Sequence, residues 1–161
     1  MPVSDIYSYR SGSVSVAATT ATAVLSVYGT AAKRLWATGC RVEIGNTLAA
    51  AGNNILFQLA RPAASNTGTG LVSGNALDFS APASLGQLAT AWSTAPTVGL
   101  ILAEWELPQT TGSEWVEYPP TNYEWGIPAI ANANANAGIH LFVTPSVATA
   151  TPVLVNLIAS E

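Results

Sequence analysis

The sequence predicts an all-β protein: a two-sheet antiparallel sandwich of jelly-roll type, with roughly eight or nine short strands and an extended N-terminal arm. Three observations predict it. β-branched residues recur at period two, as in Ser13–Tyr28, SVSVAATTATAVLSVY, the pattern of a pleated strand and not of a helix. Gly, Pro, Asn and Ser break the chain into short runs, which is how successive strands are punctuated. The last segments, Gly138–Thr144 and Pro152–Ala159, are apolar on both faces, as strands are when both sides are covered. With 161 residues the chain is long enough for a single sizeable core, placing one domain at residues 13–161 behind an arm at residues 1–12.

Taken in order, residues 1–12 carry Ile6, Tyr7, Tyr9 and Arg10 and form an extended arm, or a first edge strand, ending at Ser11-Gly12. Residues 13–17 and 22–28 follow as two short strands. Leu35–Gly45 is a strand with Cys40, Val42 and Ile44 on one side and Arg41 and Glu43 on the other. Gly45-Asn46 and Gly52-Asn53 bracket a turn region. Asn54–Arg61 then returns with Ile55, Phe57 and Leu59 on one face, so the pair reads as a hairpin.

From Pro62 to Pro96 the strand signal fades. A connection longer than about 12–15 residues is usually a functional loop or holds structure of its own. A short strand at Ala76–Phe79 and a turn of helix around Leu85–Trp92 are the candidates. Leu85, Leu88 and Trp92 would share a helical face, although Gly86 opposes the helix.

The next stretch, Val98–Pro128, is the most distinctive. Glu-Trp dipeptides recur ten residues apart at Glu104-Trp105, Glu114-Trp115 and Glu124-Trp125, each followed by proline (Pro108; Pro119 and Pro120; Pro128). Even spacing with turn signals between predicts a meander of antiparallel strands. Its indoles, with Tyr118 and Tyr123, are core, anchors of a protein interface, or a flat platform for sugar rings. Ala129–Ala137, AIANANANA, is a flexible loop or an Asn ladder along a symmetry axis. A second hairpin, Gly138–Thr144 with Pro152–Ala159, ends the chain.

Charge is scarce. Asp, Glu, Lys and Arg make up 9% of the residues, against about 25% in ordinary soluble proteins. With 49% hydrophobic residues and mean hydropathy +0.33, the surface is short of the charge that normally keeps monomers apart. Copies of the same chain, or a larger assembly, therefore cover part of it; the alternative is a neutral but wettable surface of Ser, Thr, Asn and Ala. The net charge is −4, and the five cations, Arg10, Lys33, Arg34, Arg41 and Arg61, are scattered. No basic stripe is available for a nucleic-acid backbone. No run of 18 apolar residues or basic amphipathic helix points to a membrane. The start, MPVSDIYSYR, has neither the basic nor the apolar region of a signal peptide. The lone Cys40 has no internal partner for a disulfide.

Catalytic candidates are thin. Glu104, Glu114 and Glu124 would serve a glycosidase if two of them stood roughly 5 or 9 Å apart, but strand edges facing solvent give the same spacing. His140, between Ile139 and Leu141, has no second ligand at metal spacing and fits a hydrogen-bonded sheet residue. Cys40 fits a small buried hydrophobe. Phosphate-loop, nucleophile-elbow and zinc patterns are absent from the sequence, so neither an enzyme nor a cofactor is expected.

The arm-like MPVSDIYSYR, the weakly charged strands rich in Ala, Thr, Gly and Val, and the apolar end GIHLFVTPSVATATPVLVNLIASE together resemble the head decoration (cement) proteins of tailed bacteriophages. The resemblance implies a jelly-roll homotrimer on the capsid surface of the virion. Its terminal arm, here Ile6, Tyr7, Tyr9 and Arg10, would clamp neighbouring copies of the major capsid protein. Two other functions fit the same residues: a carbohydrate- or receptor-binding module using exposed Trp, and a neck, tail or fibre component.

Overall fold

Among the described residues, period-two patterning is realised as strand. A computed structural model describes residues 5–30, 34–47, 52–77, 81–119, 125–127 and 138–161, and no helix occurs among them. The strands are β1 (Ile6–Val16), β2 (Thr22–Tyr28), β3 (Leu35–Ile44), β4 (Asn54–Pro62), β5 (Thr67–Thr69), β6 (Val72–Ser73), β7 (Asn75–Ala76), β8 (Gln87–Ala89), β9 (Ala91–Thr94), β10 (Val98–Pro108), β11 (Glu114–Glu117), β12 (Trp125–Ile127), β13 (Ile139–Pro145) and β14 (Thr151–Ser160).

They form two large sheets. The first has the order β11-β3-β14-β1-β7, with β12 also paired to β3; the second has the order β10-β4-β13-β2-β8-β6; β5 and β9 pair separately. Every pairing is antiparallel. Reduced to the longer strands, the sheets are β1-β14-β3-β11 facing β2-β13-β4-β10, the strand order of a jelly roll. The core lies between them and includes Tyr9, Val42, Phe57, Trp105, Trp125 and Leu157.

In this topology consecutive strands face each other across the core instead of pairing. The two expected hairpins are therefore corrected. β3 pairs with β14, β11 and β12, whereas β4 pairs with β13 and β10, so the chain crosses between sheets after residue 44. The same holds for β13 and β14. The expected meander splits likewise, with β10 in the second sheet and β11 and β12 in the first. An apolar inward face is satisfied equally by a sheet neighbour and by a strand about 10 Å away across the sandwich. Local pattern does not distinguish them.

Of the two readings of residues 1–12, an extended arm or a first edge strand, the described residues take the strand, with β7 outside it. From Ile6 onward the segment is β1, registered on β14 from Ile6↔Ser160 to Val16↔Thr151, with a shift between Arg10 and Ser13. Gly12 sits in that irregularity at φ 70°, a conformation that glycine adopts without strain. Tyr7 and Tyr9 are fully buried. Aromatic residues alternating with Ser8 and Arg10 are themselves a half-buried strand pattern, and β14 supplies the pairing. Residues 1–4 lie outside the described residues.

The long connection before β10 has structure of its own. β7 extends the first sheet beside β1, and β8 with β6 extends the second beside β2, so the insertion closes one side of the sandwich. The helical turn at Leu85–Trp92 is not formed: β8 and β9 occupy it, with Leu88 buried and Leu85 exposed. Pairing with β2 outweighs a weak local periodicity. Of the strand expected at Ala76–Phe79, only Ala76 belongs to one, in β7; residues 78–80, like the run at 129–137, lie outside the described residues.

Candidate interaction surface

The aromatic residues singled out by sequence divide between core and surface. Trp105, on β10, stands opposite Phe57 and stacks on it, with ring centroids 5.9 Å apart and planes at 8°. Trp125 is buried in the same core. Trp115 is 46% exposed. Its register opposite Val42 turns it to the inner side of the outermost strand, where its Nε1 donates to Glu117 at 2.7 Å. Tyr118 is 64% exposed, and Tyr123 lies outside the described residues. Trp105, Trp115 and Trp125 thus form no common platform.

Trp36 was not among the expected surface aromatics. Period two between inward Leu35 and Ala37 would have turned it outward, and it is 37% exposed. The Arg34 guanidinium lies 5.4 Å from its ring centre, a cation–π contact. Both exposed outer-face rings rest on glycine. A Cβ at Gly126, the cross-strand partner of Trp36, would stand 3.1 Å from the indole, and one at Gly39 would stand 3.3 Å from the Tyr118 ring. Aromatic cover of a sheet glycine restores packing that the missing side chain leaves out.

The glutamates do not converge. Glu104 accepts from the Gln58 amide and Glu106 from the Asn54 amide, on the side of β10 opposite buried Trp105 and Leu107. Glu114, in the other sheet, pairs with Arg41 at 2.6 Å. Hydrogen bonding to Glu114, then its charge, raises the Arg41 pKa above its ordinary value. Glu124 lies outside the described residues.

His140 is fully buried, as is Ser26, whose Oγ lies 2.6 Å from His140 Nδ1. Trp92 Nε1 donates to the same hydroxyl at 2.9 Å. Tyr28, edge-on to His140 at 5.7 Å, donates its hydroxyl to Asn66 at 2.7 Å. Trp92 and Asn66 belong to the insertion. This sealed network fastens the insertion to the second sheet and keeps the hydroxyl away from solvent-borne substrate. Burial, first, pushes the Cys40 thiol up to about 12, with the Glu117 charge adding to it.

The tyrosines expected on a capsid-binding arm hold a loop instead. Tyr7 donates to the Pro82 carbonyl at 2.9 Å, and the Tyr9 hydroxyl lies 2.6 Å from Ser84 Oγ. The Glu161 carboxylate accepts from Ser84 Oγ, from the Gly86 N–H at 3.0 Å and from the Leu85 N–H at 3.2 Å. Burial raises both phenol pKa values, and the nearby Glu161 charge raises them further. Of the four residues expected to contact capsid, only Ile6 and Arg10 are exposed.

Arg10 lies on the outer face of the first sheet, in a row that crosses three strands as Arg10, Asn156, Arg41. A shallow cleft of about 160 Å³ opens there. Asn156 Oδ1 accepts from Ser8 at 2.6 Å. Leu154 and Ile158, on either side of Asn156 along β14, are only half-buried. At the free edge of the second sheet Leu100 is 65% exposed, and Ile101 beside it is also exposed.

Among the described residues no cluster of three or more His, Cys, Asp or Glu could hold a metal, and no helix is long and apolar enough to cross a membrane. Comparison with protein-family models and with curated proteins finds no match to this chain.

Proposed function

We propose that the chain is a structural virion protein, a capsid decoration protein that oligomerises and stabilises a head lattice by bridging major capsid subunits. One observation carries this reading. Large apolar side chains are exposed at the β10 edge and on the outer face of the first sheet, including Leu100, Ile101, Val116 and Ile6, and on the insertion, at Val72, Leu77 and Leu85. In a chain with 9% charged residues, such a surface suits burial between subunits. A cement protein works by that burial: whatever binds only the assembled shell stabilises it by mass action. With Tyr7 and Tyr9 in the core, capsid contact falls to the sheet surfaces, to which β1 contributes Ile6 and Arg10.

Native mass spectrometry at micromolar concentration tests the reading. A trimer is expected, and it should co-sediment with capsids of its phage. A monomer that ignores capsids overturns it. The second reading, a carbohydrate- or receptor-binding module, is favoured by the flat exposed rings of Trp36 and Tyr118, and it requires polysaccharide to quench or shift tryptophan fluorescence. The neck, tail or fibre alternative predicts the oligomer without the co-sedimentation.

A further inference from the structure

We infer that copies of this chain associate head to tail, the open β10 edge of one lying against the outer face of the β1-β14-β3 sheet of the next. This rests on the assembly reading above and specifies its interface.

Three features converge. On the β1 and β2 side the chain caps its own sheets with β7, β8 and β6, but no described strand lies beyond β10 or β11. A long uncovered edge strand with exposed apolar side chains is a template for pairing or packing with another chain. The target face has matching character. β14 carries half-buried Leu154 and Ile158 outward in the middle of the sheet, on the face where an antiparallel sandwich ordinarily places polar residues.

Charge then selects the partner. Glu104 and Glu106 face outward from β10 with the neutral amides of Gln58 and Asn54 as neighbours. Arg10, on the target face, has no ion-pair partner among the described residues. Two β10 edges meeting across a twofold axis would press these carboxylates against their own copies, which is repulsive. On the target face Arg41 is engaged by Glu43 and Glu114, so in an edge-against-face contact Arg10 is the cation left for Glu104 and Glu106. Such a contact uses two different patches on each copy, and it closes into a ring when its rotation divides a full turn.

The test is charge reversal in the full-length protein, read by sedimentation velocity and native mass spectrometry. Arg10→Glu alone, and Glu104→Lys with Glu106→Lys, should each raise the subunit dissociation constant at least about tenfold. All three changes in one chain should restore assembly. All three residues are exposed, so circular dichroism should be unchanged throughout. An oligomeric parent whose Arg10→Glu variant assembles as tightly, or whose combined variant is not restored, overturns this interface and leaves the assembly reading standing. A monomeric parent overturns both.

Discussion

Gly86 sits where no side chain fits. A Cβ there would run into the Tyr9 hydroxyl and Leu35, while its own N–H bonds Ser84 and Glu161. Gly86→Ala should therefore cost about 1–3 kcal/mol through overpacking, seen as a lower urea midpoint with an unchanged m-value. An unchanged midpoint would mean that the loop yields freely. In the sequence Gly86 could be weighed only as a helix breaker, because the group it makes room for is 77 residues away in the chain at Tyr9. Trp36 was more legible: its outward turn follows from Leu35 and Ala37, although the glycine beneath its ring belongs to a distant strand.

Among elements, β1 changes most between sequence and structure. Removing residues 1–10 from a true arm would leave the fold intact. Here it deletes two fully buried tyrosines and much of the pairing to β14. Loss of one large buried aromatic costs about 3–5 kcal/mol, and a domain has only about 5–15 kcal/mol to lose. The truncated chain should be insoluble or lack strand circular dichroism; a folded, soluble product would restore the arm. Within strands the alternation was legible, since Cys40, Val42 and Ile44 do face the core with Ile55, Phe57 and Leu59. The pairing of those strands was not, because a hydrogen-bonded neighbour and a facing strand make the same demand on side-chain polarity.

For the whole molecule, the buried thiol and phenols set an alkaline limit. Cys40 is raised from an ordinary 9.0 to about 12, and Tyr7, Tyr9 and Tyr28 are raised from an ordinary 10.0, chiefly by burial. These groups keep their protons when folded and release them on unfolding, so above about pH 9 the unfolded state binds fewer protons and stability falls as pH rises. Cys40 and Tyr9 would each remove about 1.4 kcal/mol per pH unit once past their unfolded values. Urea melts should be insensitive to these groups below about pH 8 and decline steeply toward about pH 11. Cys40→Ala should delay the onset. A profile flat to that pH would mean that these groups reach water in the folded state.

Composition and period-two patterning determined the all-β sandwich, the inward faces of β3 and β4, and the scarcity of charge, because each is a property of residues near one another in the chain. Tertiary structure decided which strands pair, that the N-terminal segment is a strand of the sheet, and which aromatics stay exposed. Those outcomes depend on hydrogen-bond partners and covering groups more than a hundred residues away, such as β14 for β1, and no local pattern encodes the identity of a distant partner.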